Sequence, residues 1–199
     1  MNQAVTRYTK TAIILHWLIG FLLIAMLAFG IWMGELPKEA KVESIDLFNW
    51  GLYTVVFSEP TSLRTFYFNL HKSMGVTLLV LIMFRVYWRL THLAPDYPAT
   101  LKDWEKKLAD IVQKAMYTLM VAMPVSGVLM ATYSKYGIKW FGLALIEGRD
   151  NPGLRDLFKE AHEIIGMTLL ALIFLHIAAA IKHKLIDKDD VMRRMTLRG

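Results

Sequence analysis

Uncharged apolar stretches recur four times along the chain. They cover residues 13–33, 73–84, 115–134 and 164–181. A helix of about 20 apolar residues crosses the hydrocarbon core of a membrane. With their flanking residues, these stretches predict spans over about 12–33, 70–90, 110–134 and 161–182. The predicted fold is therefore all-α, a bundle of four transmembrane helices in a single domain over 1–199, with an outer loop at 34–69.

The composition agrees with a membrane protein and narrows its chemistry. The chain is 55% hydrophobic, with a mean hydropathy of +0.38. Its net charge of +6 fits basic cytoplasmic loops, and no basic patch interleaved with soluble structure indicates nucleic-acid binding. Cysteine is absent, which excludes disulfides, cysteine-ligated iron–sulfur clusters and covalently attached c-type haem. Any redox centre must therefore be a non-covalent group held by histidine or methionine, or a metal held by nitrogen and oxygen ligands.

The distribution of basic residues predicts the orientation. Lysine and arginine are concentrated around 85–107 and in the tail after Ile181, whereas 34–69 carries five acidic residues against three basic ones. By the positive-inside rule, both termini and the middle loop are cytoplasmic. The loop over 135–159, with five basic residues, runs against the rule, but four spans with both termini inside remain the best fit. We expect the first span to be retained, because its apolar run is longer than that of a signal peptide and no small-residue cleavage site follows.

Four of the six histidines lie in or at the edge of the predicted spans, where ionisable side chains usually face the bundle interior for a functional reason. His162 and His176 are 14 residues apart in the fourth span. That spacing falls about 40° short of four helical turns and covers roughly 21 Å along the axis. The two side chains therefore leave nearly the same helix face, one near each membrane surface.

Depth in the membrane then predicts how the histidines pair. His16 enters the first span from the cytoplasm, at the level of His176. His71 opens the second span from outside, at the level of His162. A zinc site would gather three or four protein ligands at one point, whereas two facing imidazoles leave an equatorial plane free for a porphyrin. The pattern favours two b-type haems with bis-histidine iron ligation, a state suited to electron transfer. The alternative is a set of interfacial or hydrogen-bonded core histidines.

A small residue follows each of these four histidines by four positions, on the same helix face. Three are glycines, Gly20, Gly75 and Gly166, and the fourth is Ala180 after His176. Such positions open space for a flat macrocycle beside each ligand. Close packing between helices is the competing interpretation.

The chain resembles the bacterial cytochrome b561 family, and within it the superoxide oxidases. The matching residues include His16-Trp17, the Met-Pro-Val-Ser-Gly-Val-Leu-Met stretch from Met123, and Trp140-Phe141-Gly142. His71, His162 and His176 match with their neighbours. The resemblance implies two b haems in the bacterial inner membrane and oxidation of periplasmic superoxide to O2, with ubiquinone reduced. Related cytochromes are membrane subunits of hydrogenase- and dehydrogenase-type complexes, so an electron conduit for a partner protein is the alternative function. Residues 34–69 are longer than the first loop expected for the family.

Other charged residues receive roles as hypotheses. By resemblance, the quinone head group lies near His183, whose imidazole relays protons, although an interfacial histidine explains it nearly as well. Arg85 and Arg89 share a face and suit haem propionates or the quinone, or simply extend toward the interface. Four cations near the outer ligands would draw superoxide by their positive field, unless they are ordinary solvated charges; they are Arg64, Lys72, Arg155 and Lys159. A small transporter or scaffold with histidines along a polar path is a third class of function.

Overall fold

Four long helices form the body of the protein. The computed structural model describes residues 7–37, 41–46, 52–98 and 100–197. Within these ranges the helices are α1 Lys10–Gly34, α2 Leu63–Thr91, α3 Asp103–Thr132 and α4 Pro152–Lys182. All four are long and apolar enough to cross a membrane. The predicted all-α bundle of four membrane-spanning helices is confirmed.

The helices begin earlier than hydropathy alone indicates. α2 starts at Leu63 rather than near residue 70, and α4 starts at Pro152 rather than near 161. The first turns of α3 and α4 are rich in charged side chains, so they score as polar although they are helical. Side-chain caps define two starts: Thr9 accepts from the Ala12 amide at α1, and Asn151 accepts from the Leu154 amide at α4.

Two antiparallel hairpins lie at one end of the bundle, which we call the hairpin end. The first pairs β1, Lys41–Asp46, with β2, Thr54–Ser62, inside the predicted outer loop. Residues 38–40 and 47–51 of that loop lie outside the described residues. The second hairpin, β3 Ile138–Trp140 with β4 Leu143–Ile146, joins α3 to α4. The hairpin is held on α2, because Ser73 Oγ accepts from the Phe141 amide and the Trp140 side chain donates through Nε1 to Thr77 Oγ1.

The opposite end, which we call the terminal end, brings together the start of α1 and the C-terminal tail. Arg7 donates to the carbonyls of Arg193 and Thr196, at 3.2 and 2.8 Å. Trp17 Nε1 donates to the Met195 carbonyl at 2.8 Å. The two ends of the described chain therefore lie on the same side of the bundle, as an even number of spans requires.

The core is a narrow apolar seam between the helices. Ile19, Ile82 and Leu169 are almost completely buried, and they come from α1, α2 and α4. Many other large apolar side chains on the helices are exposed, such as Phe21, Val80 and Phe174. This is the distribution expected of a bundle whose outer surface meets lipid rather than water.

Candidate functional site

Two histidine side chains meet near the terminal end of the bundle. His16 of α1 and His176 of α4 have ring centroids 6.0 Å apart, with their planes inclined by 72°. Metal–imidazole bonds are about 2 Å long, so a metal ion bonded to two imidazoles holds their centroids roughly 6 Å apart. The spacing of the pair therefore matches a bis-imidazole metal centre, and it joins the two histidines that were paired from their expected depth.

Arg85 lies beside this pair and has unused hydrogen-bonding capacity. Its Nη2 donates to His16 Nδ1 at 3.2 Å, and its guanidinium lies over the Tyr117 ring. Its Nε and Nη1 are buried and have no hydrogen-bond partner among the described residues. A buried guanidinium with two such N–H groups is suited to an anionic acceptor. A haem propionate would satisfy them, so Arg85 fits that group.

The other two histidines line one cavity, nearer the hairpin end. His71 of α2 and His162 of α4 line the same open pocket. Its wall is almost wholly apolar and includes Gly75, Pro124 and Gly127. His71 Nδ1 is buried and has no hydrogen-bond partner in the described part of the chain. An apolar pocket that contains two imidazoles fits a large planar metal macrocycle.

The backbone of α3 fixes the tautomer of His162. Its Nδ1 lies 2.9 Å from the Met123 carbonyl and 3.0 Å from Ser126 Oγ, and the Ser126 hydroxyl itself donates to the Met123 carbonyl. A carbonyl only accepts, so Nδ1 carries the proton and Nε2 keeps its lone pair. Metal-binding histidines are commonly held in this way by a hydrogen bond on the second ring nitrogen.

The glycines near the histidines differ in what surrounds them. A Cβ on Gly20 or Gly75 would meet no atom within 4 Å, so both stand beside open space. A Cβ on Gly166 would lie 3.0 Å from the Met123 side chain, which makes close packing of α4 on α3 the better account there. Gly30 and Gly127 lie directly against the imidazoles, at 3.3 Å from His71 Cε1 and 3.1 Å from His162 Cε1 for an added Cβ.

Three features of these sites were not predicted from the sequence. They are Gly30, Gly127 and the contacts of Met123 and Ser126 with His162. The Met-Pro-Val-Ser-Gly stretch contained a signal, because Pro124 and Ser126 mark an irregular, polar point in an apolar span. Gly30 had none, since nothing in the sequence of α1 indicates which residue of α2 it faces.

The four cations proposed to attract an anion differ in their surroundings. Arg64 donates to the carbonyls of Gly34 and Leu36, where it ties α2 to the end of α1. Arg155 pairs with Asp156 and Lys159 with Glu163, so their fields are largely balanced. Lys72 lines the His71 cavity, and its Nζ donates to the neutral Gly137 carbonyl at 3.1 Å. Of these four, Lys72 is the cation next to a candidate ligand.

The predicted residues of the terminal end also lie in different settings. Arg89, near the C-terminal end of α2, is exposed. His183 follows α4 directly, and its Nδ1 lies 2.7 Å from Asp189 and 3.1 Å from Asp187. His92, to which no role was given, is exposed and stacks on Trp88 with ring centroids 3.9 Å apart.

Comparison with known proteins agrees with this architecture. The family model described as prokaryotic cytochrome b561 matches residues 7–198. Cytochrome b561 homolog 2 of Escherichia coli K12 is 27% identical over 191 residues, which cover 95% of this chain and 90% of that protein. A protein of Yersinia pestis described as probable superoxide oxidase CybB is 26% identical over 192 residues, which cover 95% of each chain. With nearly its whole length matched, the chain belongs to the prokaryotic cytochrome b561 family of bacterial membrane electron-transfer proteins, whose cofactor is haem b.

Proposed function

We propose that the protein is a di-haem oxidoreductase that takes electrons from periplasmic superoxide and delivers them to ubiquinone. The observation that carries this proposal is the placing of two imidazole pairs at two depths of one bundle. The description of the Yersinia relative as probable superoxide oxidase CybB supports the choice of donor. Bound haem would supply the one-electron carriers between the two surfaces.

The residues of each pair have distinct tasks. His16 and His176 would hold one haem, and Arg85 would neutralise a propionate beside it. His71 and His162 would hold the other in the cavity whose glycines leave room for it. The Met123 carbonyl keeps the Nε2 lone pair of His162 available for iron, which saves the cost of reorienting the ring.

The hairpin end is the periplasmic end in this proposal, and the terminal end is cytoplasmic. The tail that packs on α1 carries Lys182, Lys184 and Lys188, followed by Arg193 and Arg194, as the positive-inside rule expects of a cytoplasmic segment. Electrons would then enter beside His71 and His162 and leave beside His16 and His176.

Superoxide is an anion that loses one electron to become O2 and requires no proton. Lys72 would raise its local concentration, because the ammonium lies at the wall of the outer cavity and no acidic residue of the described chain is paired with it in the structure. Ubiquinone needs two electrons and two protons, so two superoxide ions are consumed for each quinol. His183 is the group proposed to pass those protons at the cytoplasmic end.

The direct test uses purified protein in detergent with a superoxide source and a soluble ubiquinone analogue. We expect quinol to form at a rate that follows protein concentration and to stop when superoxide dismutase is added. A preparation that carries both haems yet forms no quinol would contradict the proposed reaction. Co-purification with a soluble dehydrogenase, with activity only in its presence, would establish the electron-conduit function instead.

The haem ligands are tested by substitution with a matched histidine control. His176→Ala removes one imidazole of the His16–His176 pair. We expect the purified protein to lose about one of its two haems, because a single histidine would hold the haem weakly. His92→Ala, which changes an exposed histidine outside both pairs, should keep two. The measurement is the ratio of haem to protein from the reduced spectrum. Two haems retained in His176→Ala would refute the pairing.

The role of Lys72 is tested against a neutralised cation. Lys72→Gln should lower the second-order rate of haem reduction by superoxide a few-fold at low ionic strength, and the difference should shrink as salt screens the field. Lys159→Gln should change the rate little, because Glu163 already balances that charge. Equal effects of the two substitutions would show that Lys72 has no special part in attracting the anion.

A further inference from the structure

The chain changes course directly after α4. Residues His183–Asp187 continue α4 as a π-helical turn, and Lys188 adopts a left-handed conformation with φ 53° and ψ 37°. The Asp189 amide then donates to the His183 carbonyl at 3.2 Å. This reversal folds the chain back and brings Asp189 beside the imidazole of His183, six residues earlier. Wide turns closed by a left-handed residue occur at helix C-termini.

The Asp189 carboxylate is held at both of its oxygens. Oδ1 accepts from the Val191 amide at 3.0 Å, and Oδ2 lies 2.7 Å from His183 Nδ1. The side chain of Asp189 is 6% exposed and that of His183 is 15% exposed. An ionised carboxylate only accepts, so the ring nitrogen beside it carries the proton. A short, shielded hydrogen bond of this type is strong, because its acceptor is charged.

The neighbouring acid, Asp187, is occupied elsewhere. Its Oδ2 is 3.1 Å from His183 Nδ1 but 2.5 Å from Lys182 Nζ. Lys182 Nζ also lies 3.3 Å from Glu105 of α3. Lys102, the N-cap residue of α3, lies close enough to attract the Asp187 carboxylate electrostatically. Two acids and two lysines thus nearly balance around Asp187. Within the described ranges, the imidazole of His183 is the one ion-pair partner of Asp189.

We infer that Asp189 is the positioning residue that orients His183, so that the imidazole delivers protons to a quinone at the cytoplasmic end. With Nδ1–H held by Asp189, Nε2 is the ring atom left to exchange protons. In each transfer the Nε2–H bond breaks, an O–H bond forms on the reduced quinone, and cytoplasmic water restores the proton. The electrons come from superoxide, so the inference rests on the proposed function.

Coordination of a cation is the competing use of the cluster. One ligand atom each from His183, Asp187 and Asp189 lie within 4.8 Å of one another. However, the Nδ1 atom is already engaged with Asp189, and Asp187 is neutralised by Lys182. The proton-transfer role therefore accounts better for the contacts, and the experiment includes an arm for the metal.

The test compares two isosteric substitutions of adjacent acids, Asp189→Asn and Asp187→Asn, in purified haem-loaded protein. Two rates are followed separately: haem reduction by superoxide, and quinol formation. We expect Asp189→Asn to leave haem reduction unchanged and to slow quinol formation about tenfold, because a neutral amide holds the Nδ1–H group of His183 less strongly than a carboxylate does. Asp187→Asn should stay within about threefold of the unchanged protein.

Two further variants separate proton delivery from a structural role. His183→Gln should reproduce the loss, and the double variant His183→Gln with Asp189→Asn should be no slower than either single one, because both act on one proton. Asp189→Glu should restore much of the rate. These variants decide the matter even where Asp189→Asn fails to retain its haems.

The outcomes are distinct. Quinol formation by Asp189→Asn at the rate of the unchanged protein would overturn the inference and leave the proposed function intact. Additive losses in the double variant would also overturn it. So would a loss of quinol formation that EDTA causes in the unchanged protein and that added Zn²⁺ reverses. If the unchanged protein reduces its haems but forms no quinol, the proposed function fails and this inference fails with it.

Discussion

A buried imidazole with a free ring nitrogen is the feature on which the rest of the structure depends. In the interior of a membrane bundle, a polar atom without a partner destabilises the fold, because lipid tails offer no hydrogen bond in place of water. The protein brings the rings of His16 and His176 within 6.0 Å of each other and lines one pocket with His71 and His162. Among the described residues, His71 Nδ1 and two Arg85 nitrogens have no hydrogen-bond partner. A bound haem would offer iron to the imidazoles and a propionate to Arg85. The imidazoles and the buried guanidinium therefore fit the cofactor that the family binds.

The fourth helix organises both sites. It contributes His162 to one pair and His176 to the other, and it is also the helix whose Leu169, between them, is fully buried in the core. The apolar seam between the two histidines therefore fixes their separation along the bundle. A rigid spacing of this kind suits electron transfer, since redox centres that move little keep their distance and their surroundings. The same helix then ends in the turn that brings Asp189 to His183, so the proposed proton and electron routes converge at the terminal end.

Much of this architecture could be predicted from the sequence, because its signals are local. Uncharged runs locate the four spans, and the 14-residue interval between His162 and His176 follows from helix geometry alone. Pairing by depth needed only the alternation of span directions. Contacts between helices carry no such signal: Gly30 against His71, and the Met123 carbonyl on His162, depend on lateral rotation of the helices. The contact of Asp189 with His183 could not be predicted for another reason. A π turn followed by a left-handed residue produces no periodic pattern in the sequence.

The central claim is that each of two imidazole pairs binds one haem iron from both sides. Electron paramagnetic resonance of the oxidised protein, combined with a haem-to-protein ratio, tests it most directly. The account predicts two haems per chain and two low-spin ferric signals of bis-imidazole type, with no high-spin iron. A single haem per chain, or a high-spin signal from iron that lacks one axial histidine, would contradict it.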